Sequence, residues 1–185
     1  MTTLVDSRAY PVFAVMFGYG LVQLARRNRA AGADERRILE ELSPQESMRL
    51  LASVSLGRIV FTARALPAIR PVSHLVDGDS VIIRTDHNAA ITSELRAEAG
   101  TIVAYEADAI NSDHHLGWSV VVVGAAHRVI DPDEASAYRR MLRPWISGDK
   151  DQVIAIHADM VTGFRLVAAR PGDAVGAVGG DFRLP

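Results

Sequence analysis

The 185-residue chain has no cysteine, which excludes disulfides, thiolate catalysis, iron–sulfur clusters and Cys-based zinc sites. Redox chemistry must therefore sit on a bound organic cofactor, or on a metal held by His and carboxylates. A surplus of positive charge is missing too: 20 Lys+Arg against 22 Asp+Glu leave a net charge of -2. No large basic surface awaits a nucleic-acid backbone, so nucleic acid is not an expected partner. A membrane-spanning run is also lacking. The uncharged stretch from Tyr10 to Ala25 is about 16 residues, short of the roughly 20 needed to cross a bilayer. Its arginines (Arg26, Arg27, Arg29, Arg36, Arg37) follow the apolar run, where a secretory signal would place them before it.

What is present is enough apolar residue, 49%, for one packed domain. Composition divides the chain into an apolar and basic extension (1–42), a strand-rich body (43–169) and a Gly/Ala-rich tail (170–185) expected to be flexible. The body opens on Ser43-Pro44-Gln45-Glu46, which reads as a helix start with the glutamate returning to the cap, and Gly57 is expected to end that helix. Strands are predicted at 58–63, 68–76, 80–85, 101–107, 118–130, 153–157 and 161–168. The long one is expected to bend at Gly124, and Asp77-Gly78-Asp79 reads as a turn. Short helices are predicted at 88–96 and from Asp131 to about Leu142. Such an order is mainly β. It points to an antiparallel barrel or sandwich with short helices at its openings.

Several constellations bear chemistry. Along Pro67–His74, the residues Arg70, Val72 and His74 share one strand face while Pro71 and Ser73 share the other. The next strand could bring Arg84 and Thr85 near Arg70 or Ser73, and converging guanidiniums and hydroxyls would hold a phosphate. The competing reading is arginines reaching into solvent. Asp113-His114-His115 reads as a solvated loop, and no metal site is assigned. Trp118 and Trp145 read as core or interface residues, with stacking on a cofactor as the alternative. Glu106 and Asp108 receive no role, no catalytic residue is assigned, and no nucleophile elbow argues for a hydrolase.

Taken in order, Gly57-Arg58-Ile59-Val60-Phe61-Thr62, Pro67 through His74, Asp77-Gly78-Asp79, Ile83-Arg84-Thr85, Tyr105-Glu106-Ala107-Asp108, Gly117-Trp118-Ser119-Val120 and Val161-Thr162-Gly163 resemble pyridoxamine 5'-phosphate oxidase-like proteins, in particular their short actinobacterial members. The likeness runs from about Leu42 to Leu166. It implies a split β-barrel forming a homodimer with flavin sites at the subunit interface. The cofactor would be FMN or a deazaflavin (coenzyme F-420), transferring hydride to or from a small molecule that the sequence does not identify. The residues it implies for cofactor binding are Arg70, Pro71, Val72, Ser73, His74, Arg84, Thr85, Asn88, Ala90 and Trp118. One departure is plain: many relatives follow this strand with Ser-Lys or Arg-Lys, whereas this chain reads Asp86-His87-Asn88-Ala89-Ala90. Alanine offers no side-chain donor, so only backbone N–H groups at 88–91 would remain there. That departure favours two alternatives: a non-catalytic flavin- or haem-binding carrier, and a degenerate barrel with an empty site. Pyridoxamine phosphate oxidation itself is disfavoured, because the extended C-terminal Arg/His-rich segment is missing.

The segment around residues 8–40, with Tyr10-Pro-x-Phe and Phe17-Gly-Tyr-Gly20, resembles a fragment of an uncharacterised bacterial multi-spanning membrane protein family. A single such segment cannot fold alone as that family does. A fusion remnant or misplaced start is preferred over a helix docked on the domain, and membrane contact through residues 10–25 ranks last. The expected location is the cytoplasm.

Overall fold

The computed structural model describes residues 37–85, 91, 100–142 and 152–169. In chain order the elements are β1 (Arg37–Glu41), α1 (Pro44–Leu51), β2 (Leu56–Ala63), β3 (Leu66–Asp77), β4 (Ser80–Thr85), β5 (Thr101–Asn111), β6 (Leu116–Arg128), α2 (Pro132–Met141), β7 (Gln152–His157) and β8 (Met160–Ala168). Every strand pairing is antiparallel. Six strands close a ring in the order β6-β5-β2-β3-β4-β7, with β7 returning to β6, and β8 and β1 continue the sheet outward from β6.

Alternation explains the closure. Ile59 and Phe61 of β2, Val81 and Ile83 of β4, Val122 of β6 and Ile154 of β7 point inward and are essentially inaccessible to water. Each such side chain contributes on the order of 1.5–3 kcal/mol by leaving solvent. Ile82 points the other way, onto Ala135, Tyr138 and Leu142, so α2 covers the outside of β4 and β7. The helix is tied down further by Tyr138, whose hydroxyl donates to Asp77 at 2.7 Å. Asp131 caps it, accepting from the N–H groups of Asp133 and Glu134 at 2.9 Å each.

β6 serves two partners. From Gly117 to Val123 it pairs with β8, and from Ala126 to Arg128 with β7. Gly124, where a bend is predicted, lies between the two pairings.

Four local expectations are corrected. Arg37–Glu41 is a strand paired with β8 from Ala168 to Phe164, so the sheet begins before the boundary drawn at residue 43. Its alternation was hidden in a charged stretch that reads as solvated. Gly57 does not end α1; the helix stops at Leu51 with Ala52 as its cap, and Gly57 lies within β2. Ser43 does accept from the Glu46 N–H at 3.2 Å, but the Glu46 carboxylate goes to Arg165 of β8 at 2.8 Å and to Arg49 rather than back to the cap. An arginine supplies charge that a backbone N–H cannot. Finally, β5 runs on to Asn111, past its predicted end at 107, and β3 starts at Leu66 rather than 68. The predicted helix at 88–96, except Ile91, falls outside the described residues, as do Trp145, the tail and the Tyr10–Ala25 stretch.

Candidate functional site

β3 is the strand on which the predicted site residues concentrate, and its two edges differ. Along one it pairs with β2 from Leu66 to Ser73; along the other it pairs with β4 only from His74 to Asp77. Among the described residues, the second edge from Leu66 to Ser73 has no strand partner. Arg70 and Val72 share the inward face with His74, opposite Ile59 and Gly57. Arg70 is exposed, and its guanidinium donates to the carbonyl of Ile69 at 2.8 Å. Pro71 and Ser73 face outward, and Ser73 is buried.

Arg84 is not brought to Arg70. It lies on the opposite face of β4 from Val81 and Ile83, and its guanidinium donates to the carbonyls of Arg139 at 3.1 Å and Leu142 at 3.2 Å. Those carbonyls end α2, where unsatisfied acceptors and the helix dipole attract a cation. Spacing could not reveal this, because the competing acceptor lies more than fifty residues away. Thr85 is buried on the inward face, so the two neighbours expected to act together point to opposite sides. Trp118 is partly buried on β6, packed against the barrel interior and opposite Ala109 and Arg165 in the sheet. Asn88 and Ala90 lie outside the described residues.

His74 and Tyr105 form a buried polar pair inside the barrel, of which the sequence reading places only His74 at the site. His74 is 4% exposed and sits edge-on to Tyr105, with ring centroids 5.1 Å apart. Its Nε2 lies 2.9 Å from the carbonyl oxygen of Leu51, and its Nδ1 lies 2.8 Å from the Tyr105 hydroxyl. A carbonyl only accepts, so Nε2 carries the hydrogen and Nδ1 accepts from tyrosine. Burial pushes the His74 pKa below its usual value and the Tyr105 pKa well above its own. Tyr105 has a place in a sequence motif but no role there, because a strand tyrosine gives no signal of what its hydroxyl will meet.

On the outer face, Arg58 bridges Glu106 at 3.0 Å and Asp108 at 2.9 Å. The bonds to Asp108 and then Glu106 raise the pKa of Arg58. Burial raises that of Glu106, with Asp108 adding to the rise and Arg58 opposing it. Glu106 and Asp108 thus hold an arginine between strands. Beside them opens a cleft of about 720 Å³, walled by the turn at Ala52–Ser55, by Arg58 and Asp108, and by Pro71 and His74–Val76 of β3. That volume lies within the usual range for small-molecule and cofactor sites.

A closed antiparallel ring whose longest strand, β6, also carries β8 and through it β1 outside the ring defines a split-barrel protein. Residues 43–177 match the family model for pyridoxamine 5'-phosphate oxidase, and the chain belongs to that family. It is 49% identical over 143 residues to the uncharacterized protein Rv0080 of Mycobacterium tuberculosis, covering 76% of this chain and 94% of the relative. It is also similar to a Corynebacterium glutamicum structure provisionally named a pyridoxamine 5'-phosphate oxidase. That likeness has 32% identity and a TM-score of 0.59, over 72% of this chain and 96% of the other. The FAD binding protein of Mycobacterium smegmatis aligns at 29% identity with a TM-score of 0.53, over 69% of this chain and 98% of that one. Among the described residues no helix is long and apolar enough to cross a membrane.

Proposed function

We propose that this protein binds a flavin along the open edge of β3, as a homodimer, and serves as an oxidoreductase for a small organic substrate. The observation that carries the reading is the strand edge from Leu66 to Ser73: among the described residues it lacks a strand partner, its Pro71 lines the 720 Å³ cleft, and it carries the exposed Arg70. Unpaired backbone groups suit the polar edge of a flat heterocycle, and a guanidinium suits a phosphate. Family membership and the FAD-binding relative support the same reading. Arg70, Val72 and Thr85 would then hold the cofactor, while Arg84 would act indirectly by fixing α2. A bound flavin would supply the hydride-accepting chemistry that no side chain of this cysteine-free chain offers.

The test is titration of the purified protein with FMN, FAD and the deazaflavin, followed by fluorescence and visible absorption, then reduction of the bound species by a nicotinamide or deazaflavin donor. Saturable binding of one flavin followed by its reduction supports the proposal; binding of none overturns it. Binding without turnover would instead fit a carrier. The engagement of Arg84 by α2 and the alanines after β4 favour that second reading, since both leave fewer cations for a phosphate.

A further inference from the structure

His74 does more than fill the core. Its side chain closes the carbonyl end of α1 at Leu51, its backbone N–H donates to Ser55 at 3.1 Å, and the intervening turn is a wall of the cleft. Its other nitrogen faces a hydroxyl with a choice. The Tyr105 oxygen lies 2.8 Å from Nδ1 of His74 and 3.3 Å from the carbonyl oxygen of Val72. One hydroxyl has one hydrogen, so it serves His74 or Val72 but not both at full strength.

We propose that His74 and Tyr105 form a proton-holding pair beside the cleft: His74 takes up a proton at Nδ1 while the Tyr105 hydroxyl turns from His74 to the carbonyl of Val72. No heavy atom needs to move. In the neutral form Nε2–H donates to Leu51 and Nδ1 accepts from Tyr105. In the protonated form Nε2–H keeps Leu51, Nδ1–H donates to the tyrosine oxygen, and the tyrosine hydrogen goes to Val72. The proton enters from water in the cleft, which His74 lines. Every polar atom of the pair keeps a partner in both states, which is the condition for holding a charge in a buried place.

Among the described residues, the groups packed against the pair from inside the barrel are uncharged. On β4 the residue opposite His74 is Ile83, and on β2 the nearest inward residues are Gly57 and Ile59. The end of α1 and the following turn contribute Leu51, Ser53 and Ser55, none titratable in this range. Arg58, Glu106 and Asp108 project from the outer face of the sheet, where Arg58 and Asp108 line the same cleft as His74; they are paired with one another, and Glu106 and Arg58 act on Tyr105 with opposite sign. Because Val72 belongs to the strand proposed to hold the flavin, proton uptake would be felt there; that link rests on the proposed function, whereas the pair itself does not.

The test therefore uses no flavin. Nitrogen-15 and carbon-13 resonances of the full-length protein are followed from pH 8 downward. His74 should hold its hydrogen on Nε2 at pH 8 and then titrate at Nδ1, with a midpoint below the usual 6.5 and before the fold is lost. The Val72 carbonyl resonance should move with the same midpoint. Tyr105→Phe should push the midpoint lower still, because an orphaned N–H on a cation costs more than an orphaned neutral acceptor, and the Val72 carbonyl should stop following. The proposal is overturned by a His74 that never titrates in the folded wild type, or by a Val72 carbonyl that ignores the titration. A folded Tyr105→Phe whose midpoint rises or stays put also overturns it. The wild-type measurement decides even where the variant fails to fold.

Discussion

A β-carbon placed on Gly124 would lie 1.7 Å from the carbonyl oxygen of His157. This contact marks the point where β6 exchanges β8 for β7, and β7 can approach only because no side chain is in the way. Gly124→Ala should destabilise the protein by about 1–3 kcal/mol or more, the usual cost of overpacking against backbone. Urea unfolding followed by circular dichroism measures it. An alanine variant as stable as wild type would mean that the two strands do not approach as described.

Arg70 and Arg84 should separate in their effects. If Arg70 grips a cofactor phosphate, Arg70→Ala loses charge-assisted bonds of about 1.5–3 kcal/mol and weakens flavin binding by roughly 10- to 150-fold. Arg84→Ala should leave that affinity within about threefold, and lower stability by about 1 kcal/mol through loss of the contact with the end of α2. Flavin titration and thermal melting of both variants check this. The reverse pattern would move the phosphate site to β4.

β1 makes the position of a truncation matter. A chain starting at Asp34 keeps the pairing of Arg37–Glu41 with β8, whereas one starting at Ser43 exposes the β8 edge and the buried Leu166. The shorter chain should melt lower by about 4–10 °C, as a loss of about 2–3 kcal/mol would give. Equal melting points for the two would show that β1 adds nothing to the sheet.

Stability should depend on pH with a sign that His74 sets. Burial lowers its pKa in the folded state below 6.5, so the unfolded chain binds more protons in the window beneath that value. Stability is full above 6.5 and declines as pH falls toward the folded value. Glu106 has the opposite sign: its raised pKa gives stability that is present below 4.5 and is lost as pH rises through the folded value. His74→Gln keeps a donor for Leu51 and removes the first of these. Denaturant midpoints at pH 7.5, 6.5 and 5.5 should fall more for wild type than for this variant.

A homodimer should scatter light as twice 20.0 kDa at micromolar concentration. A stable 20.0 kDa species would remove the interfacial flavin site from the proposal.

Much of the architecture was legible beforehand because strand periodicity is local. Val81, Ile83 and Thr85 alternate with Ile82 and Arg84 in any antiparallel setting, and Asp131-Pro132 announces a capped helix without reference to anything distant. The ordered motifs from Gly57 to Gly163 were likewise enough to place the chain in its family. β1 is hidden because five residues with an arginine at one end and two glutamates at the other carry too little alternation to stand out from a solvated stretch.

Seven of the eight strands and both described helices were thus legible in the sequence alone, since each depends on neighbours a few residues away, and the lack of cysteine settled the absence of thiol chemistry. Which face of a strand meets which partner depended on the closure of the ring. That closure sent Arg84 to the carbonyls of α2 rather than toward Arg70, brought the Tyr105 hydroxyl from β5 to His74 of β3, and set Arg58 between two carboxylates on β5. Each of these contacts joins residues at least 31 positions apart, and a hydrogen bond or ion pair at 3 Å is decided by the path of the whole sheet.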